Sequence, residues 1–260
     1  MVTPLKIGFV EWPESLSVED AEWSELKDSV TAARPDILVT NELPFGPWIA
    51  EGTVFSEDTA HLSLRAHENG LKGLINLNLS AIISSRPVRN GKRLANEAFV
   101  LENGVVRSLH RKQYFPNEPG WFESEWYSGD CSGFDMAEVL GLKVGVLLCT
   151  EAMFNERAPA YGRQGTSLIV IPRASGVNIE SWKIAGAMAS LVSGAYVVSS
   201  NRSGRSRGVL GLAASVSPMH RKDGCWVVTI STDPLQMVDL DPKIATSAQR
   251  AYPCYVPELE

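Results

Sequence analysis

Apolar runs alternate with amphipathic stretches along most of this chain. Lys6-Ile7-Gly8-Phe9-Val10 predicts a first strand, and residues 17–33 predict a helix, with Ser17-Val18-Glu19-Asp20 as cap and first turn and Pro35 marking the stop. Asp36-Ile37-Leu38-Val39-Thr40-Asn41 predicts a second strand that ends in Glu42. A second helix is expected over 56–68, with Asn69-Gly70 as its C-terminal brake, followed by strands over 73–76 and 80–85. Residues 96–101 and 105–109 flank Glu102-Asn103-Gly104, a strong hairpin signal. An irregular aromatic segment, 114–126, then carries Pro116, Pro119 and Gly120. The apolar run 144–148 predicts a buried strand that stops at Cys149, where a helix is expected to start. Helices over 155–164 and 179–192 alternate with strands over 167–171 and 195–200, and a second hairpin is expected around Arg221-Lys222-Asp223-Gly224.

Helix–strand alternation interleaved with hairpins implies an α/β protein with mixed sheets covered by helices. Both halves repeat one order: strand, helix, strand, helix, strand, hairpin. Two similar layers fit that repetition better than an open dinucleotide-binding sheet. The 260 residues contain no Pro/Gly/Ser linker, low-complexity tract or fixed-period repeat, so a single domain over 1–260 is expected.

Net charge is −6, from 24 basic and 30 acidic residues without a basic block, which argues against a nucleic-acid or anionic-membrane partner. Cys131, Cys149, Cys225 and Cys254 form no C-x-x-C pair and no zinc-type spacing. Few cysteines and no signal-peptide pattern at the N-terminus lead to an expected cytoplasmic location. Residues 184–200 carry no charge, but they are rich in Ala, Gly and Ser and fall short of the ~20 strongly apolar residues of a membrane span. They read as a buried helix running into a buried strand. The apolar stretch 251–256 is a candidate contact with a partner subunit.

Three of these strands end in reactive groups: Glu42, Lys112 and Cys149. Alone, each has a plain reading. Cysteine packs as a small hydrophobe, and a glutamate or lysine at a strand end is commonly solvated. Together they match what a thiol needs to attack an amide-like carbon or a nitrile: a base, a cation for the developing negative charge, and a proton source for the leaving nitrogen. Glu42 is expected as base and then acid, and Lys112 with the backbone N–H of Thr150 as the oxyanion site. Cys149 is expected to form the acyl-enzyme, its thiol drawn towards thiolate by the first turn of the following helix. Among the histidines, only His110 lies near this set in sequence, one pleat deeper than Lys112. A competing G-x-S-x-G pattern, Gly204-Arg205-Ser206-Arg207-Gly208, is followed by His220 with no Asp or Glu between Ser206 and that histidine, so it reads as a polar loop.

Asn41-Glu42-Leu43-Pro44, His110-Arg111-Lys112-Gln113-Tyr114-Phe115-Pro116-Asn117 and Gly145-Val146-Leu147-Leu148-Cys149-Thr150-Glu151 resemble, in order, the glutamate, lysine and cysteine motifs of the nitrilase, or carbon–nitrogen hydrolase, superfamily. Residues 165–172 and 195–202 add supporting matches, so the resemblance covers nearly the whole chain. It implies a four-layer α-β-β-α sandwich of two mixed sheets flanked by helices, usually a homodimer or larger. It also implies hydrolysis of a non-peptide C–N bond by a Glu-Lys-Cys triad, with no metal and no cofactor. Many members carry a second glutamate after the lysine; Glu123 is the choice here and Glu118 the rival. Cys149-Thr150-Glu151 departs from the Cys-Trp-Glu of true nitrilases, which favours a small amide or N-carbamoyl substrate. The alternatives are nitrile hydrolysis and a non-catalytic interaction module. Superfamily members fed by glutamine carry an extra synthetase domain, for which 260 residues leave no room. Thr150, Glu118, Tyr114, Trp121, Arg173 and Trp182 are the candidate substrate contacts.

Overall fold

Period-two alternation sorts the side chains of the central strands between different cores. The structure is a computed structural model that describes residues 4–130, 132–176, 179–203, 213–216, 228–231 and 233–257. The first half runs β1 (Leu5–Pro13), α1 (Ala21–Ala33), β2 (Ile37–Val39), α2 (Glu57–Ile75), β3 (Ala81–Asn90), β4 (Arg93–Glu102) and β5 (Val105–Arg111). A short α3 (Glu123–Trp126) interrupts the aromatic segment. The second half runs β6 (Ala137–Val139), β7 (Leu142–Val146), α4 (Arg157–Arg163), β8 (Leu168–Val170), α5 (Ile179–Ser193), β9 (Tyr196–Ser199), β10 (Asn201–Ser203), β11 (Ala213–Val216) and β12 (Val228–Ser231). β13 (Leu235–Leu240) and α6 (Pro242–Gln249) complete the order.

The two sheets share one topology. In the first, β1, β2 and β3 are parallel, β4 and β5 continue as antiparallel neighbours, and β13 lies antiparallel on the other side of β1. In the second, β7, β8 and β9 are parallel, β11 and β12 continue antiparallel, and β6 lies antiparallel beside β7. β10 extends the first sheet by pairing with the last residues of β1. Ile37, Val39, Ala81, Ile83, Ala98 and Val100 from one sheet meet Val144, Val146, Leu168, Val170, Tyr196 and Val198 from the other in a core between the sheets. The alternate positions Leu38, Ile82 and Phe99 pack against Trp23, Leu26 and Val30 of α1 and Leu74 of α2. Leu147, Ile169 and Val197 pack against Ala158 and Tyr161 of α4 and Ala189 of α5. This is the expected α-β-β-α sandwich. Among the described residues, no helix is long and apolar enough to cross a membrane.

The β4–β5 turn has the expected chemistry: Asn103 and Gly104 both take positive φ, 51° and 79°, which a tight two-residue hairpin requires. The structure corrects three local expectations. α2 does not brake at Asn69-Gly70 but runs to Ile75, so residues 73–76 contain helix and no strand. Gly70 is a packing position, because a Cβ there would lie 2.1 Å from the Phe45 ring. α1 starts at Ala21 with Asp20 as its N-cap, later than the Ser17 start. The helix expected at Cys149 is only a five-residue 3₁₀ turn, Cys149–Met153, too short to focus a helix dipole on the thiol. The G-x-S-x-G pattern at 204–208 and the hairpin tip at 221–224 lie outside the described residues; on either side of the tip, β11 and β12 pair antiparallel.

Candidate active site

Glu42 sits where the chain leaves the first sheet. Thr40 still donates its N–H to Ile83 O (3.0 Å), while Glu42 donates its own to Arg173 O (3.1 Å), just past β8 of the other sheet. Leu43 then turns away at φ 46°, a left-handed conformation fixed by its N–H to Ser85 Oγ (2.7 Å). Lys112 is one residue past β5 and keeps the ladder bond to Asn96 O (2.9 Å). Glu123 opens α3, where its carbonyl accepts the Tyr127 N–H (2.8 Å). All three side chains are fully buried. Lys112 Nζ donates to Glu42 Oε1 at 2.8 Å and to Glu123 Oε2 at 2.6 Å, and Asn96 Nδ2 donates to the same Glu42 oxygen at 2.8 Å.

Cys149 comes from the second sheet. Past β7, Leu147 and Cys149 donate their N–H groups to Val170 O (3.0 Å) and Pro172 O (2.9 Å). Cys149 itself holds φ 48°, strain that a non-glycine residue keeps only when its surroundings over-determine it. It lines a cavity of about 160 Å³ with Pro116, Glu118, Trp121, Thr150, Ser175, Gly176 and Trp182.

The electrostatics tie the thiol to the buried trio. Burial raises the Cys149 pKa, Glu42 raises it further, and Lys112 opposes; the thiol ends at about 12. This runs against the expected drift towards thiolate: burial and Glu42 favour the neutral thiol. Burial works against the Lys112 cation, but Glu123, then Glu42, then Cys149 outweigh it and hold its pKa well above the usual lysine range. Glu123 is raised to about 7, by burial first, with Lys112 opposing and Glu42 assisting. One buried cation thus stands among three acidic groups. Glu42 Oε2, Glu123 Oε1 and the Tyr127 hydroxyl are buried beside it without a protein hydrogen-bond partner.

The structure separates the sequence-derived candidates. Glu42, Lys112, Glu123 and Cys149 come together. Glu118, the rival second glutamate, is exposed at the cavity wall, and the Lys112 ammonium pairs with Glu123 instead. Thr150, Trp121 and Trp182 line the cavity. Trp121 is fixed by its Nε1–H to Ala174 O (3.1 Å). Tyr114 and Arg173 are absent from the cavity lining among the described residues. Tyr114 instead stacks on Phe154 (4.2 Å between rings) and accepts hydrogen bonds from Arg157 through its hydroxyl. Arg173 lies buried behind the wall, donating to Ser199 Oγ (2.7 Å) and Ser175 Oγ (2.8 Å) with its guanidinium over Trp182 (4.9 Å). Burial lowers its pKa to about 10. Sequence reading passed over Asn96, Ser175 and Glu151. The signal for Asn96 was a polar pair, Asn96-Glu97, set between the apolar stretches Leu94-Ala95 and Ala98-Phe99-Val100-Leu101 of one strand.

Two mixed sheets back to back, covered by helices, with a glutamate, a lysine and a cysteine delivered from their strand ends, define the nitrilase-type class of α-β-β-α proteins. The sequence profile of the carbon-nitrogen hydrolase family matches residues 39–241, and the chain belongs to that family. Its fold is similar to a carbon-nitrogen hydrolase from Helicobacter pylori G27, with TM-score 0.78 at 17% identity over 97% of this chain and 94% of that one. It is also similar to an amidase from Nesterenkonia sp., with TM-score 0.73 at 18% identity over 93% of this chain and 92% of that one. In sequence, it is 29% identical over 87 residues to N-carbamoylputrescine amidase of Solanum lycopersicum, a stretch covering 34% of this chain and 29% of that protein.

Proposed function

We propose that this protein is an amidase that hydrolyses the C–N bond of a small amide or N-carbamoyl compound through a thioester on Cys149. The observation that carries the reading is the fully buried Lys112 Nζ held between Glu42 and Glu123 within electrostatic reach of a thiol that lines a cavity. Family membership supports hydrolysis of a C–N bond, and the similarity to N-carbamoylputrescine amidase supports an amide-type substrate.

With its pKa near 12, the thiol must lose its proton as it attacks. Glu42 Oε2 takes that proton, because Oε1 already accepts from Lys112 and Asn96. Sulfur bonds to the carbonyl carbon. Of the three ammonium donors of Lys112, two are committed to Glu42 and Glu123, and the third, with the backbone N–H of Thr150, holds the oxyanion. The intermediate collapses as Glu42 returns its proton to the leaving nitrogen, releasing ammonia or an amine. Water then attacks the thioester, Glu42 accepts its proton, the C–S bond breaks, and the proton returns to sulfur as the acid leaves. Glu123 keeps Lys112 charged and in place throughout.

A panel of small amides, N-carbamoyl compounds and nitriles, read by ammonia release and by intact-protein mass, tests the proposal. Amides or N-carbamoyl compounds should be turned over, with a transient acyl adduct on Cys149. Cys149→Ala should lower kcat by at least about 10³-fold, to background, at an unchanged circular dichroism spectrum. Turnover that survives in Cys149→Ala, or ammonia released from nitriles alone, would overturn it.

A further inference from the structure

Glu151, two residues past the nucleophile, has no part in the steps above, yet it is among the most thoroughly bonded side chains near them. Its carboxylate is fully buried. Oε2 accepts the backbone N–H of Leu148 (2.8 Å) and faces His110 Nε2 (2.8 Å), and Oε1 accepts the backbone N–H of Gln113 (2.6 Å). As a carboxylate it can only accept, so the histidine nitrogen facing it carries the proton. Those three donors belong to two different sheets. Leu148 directly precedes Cys149 at the end of the β7 segment. His110 is the next-to-last residue of β5, and Gln113 directly follows Lys112. One carboxylate therefore grips the residue before the nucleophile and the residues on both sides of the lysine.

We propose that Glu151 is a positioning residue that, with His110, fixes the register between the strained Cys149 turn and Lys112. The proposal rests on the amidase reading of the site. Cys149 keeps φ 48° without glycine, and the Leu148 N–H bond to Glu151 holds the peptide leading into that turn. Lys112 must present its third donor to the oxyanion on the carbon bonded to sulfur, and its main chain is pinned on the Gln113 side by the same carboxylate. Charge-assisted bonds to backbone N–H groups resist small displacements better than neutral ones, and misplacements of about 1 Å in such sites cost about 10²-fold in rate.

Glu151→Gln is the direct test: an amide offers a single acceptor oxygen and turns an N–H₂ group towards one of the former donors. Its kcat should fall by about 10²-fold with KM changed less than about threefold. Because a buried carboxylate is a risk to folding, His110 supplies the second arm. His110→Phe keeps the ring packed against Phe134, whose centroid is 4.7 Å away, but removes the donor. His110→Gln restores an N–H at a similar reach. Loss of about tenfold in kcat for Phe and recovery of most of it for Gln is the expected pattern. The rate of Cys149 alkylation by iodoacetamide should follow the same order. Equal activity in Phe and Gln, wild-type kcat in both, or a raised KM at constant kcat would overturn the proposal. Alkylation needs no turnover, so its ordering decides the positioning role separately from whether wild type hydrolyses any amide.

Discussion

Burial lifts the Glu123 carboxyl from 4.5 to about 7, against the opposing pull of Lys112. A raised folded value means that the unfolded chain releases this proton first, so folding loses stability as pH climbs from about 4.5 to about 7 and is level above that window. At about 1.4 kcal/mol per pH unit, wild type should lose on the order of 3 kcal/mol relative to Glu123→Gln across it. Urea denaturation of both proteins at about pH 5 and about pH 8 checks this; an unchanged difference would show that Glu123 does not titrate there. Residues of this kind were only partly legible in the sequence. Glu42, Lys112 and Cys149 stand out because each is a reactive group closing a strand-like run. Their protonation behaviour does not, because it comes from burial and from partners up to 70 residues away, as between Glu42 and Lys112. Tyr114 and Arg173 were candidate substrate contacts in the sequence. The structure turns one into an aromatic stack outside the cavity and the other into a brace behind its wall.

At the level of elements, the order of helices and strands was readable, and their ends were not. Gly70 looks like a stop signal because helix-breaking is a local property. Its actual role is set by Phe45, 25 residues earlier, whose ring lies against the helix backbone. Gly70→Ala should therefore destabilise the protein by about 2 kcal/mol, since overpacking of about 1–3 kcal/mol outweighs the gain of up to about 1 kcal/mol in helix propensity. A rise in melting temperature would refute that account. β3 also runs past its expected end at Ser85, through Arg86-Pro87-Val88-Arg89. The polar residues there are stabilised across the hairpin: Arg86 stands opposite Glu97 and pairs with it at 2.9 Å. The short 3₁₀ turn after Cys149 was hidden for a related reason. Nothing in Thr150-Glu151-Ala152-Met153 forbids an α-helix, and the Glu151 carboxylate, bonded to Leu148, Gln113 and His110, holds the turn from a distance.

Across the whole molecule, the core between the sheets is common property of both halves. Leu168, fully buried in it, packs with Ile37, Ile83 and Val100 from the opposite sheet in one cluster. Leu168→Ala should cost about 2–5 kcal/mol. The melting curves from tryptophan fluorescence and from far-ultraviolet circular dichroism should shift together. Separate shifts would mean that the halves unfold independently.

The shared topology of the sheets also puts their strand ends in correspondence. Phe9 lies opposite Val39 in one sheet and Val146 opposite Val170 in the other. Counting three residues onward from each, Glu42 corresponds to Arg173 and Cys149 to Trp12. The strand order thus repeats while the chemistry at the strand ends does not: an acid stands where the other sheet has a base, and a thiol where the other has an indole that is 1% exposed. Repeating the strand order therefore does not repeat the site: exchanging Cys149 with Trp12 would leave Lys112 paired with Glu42 and Glu123 where they are.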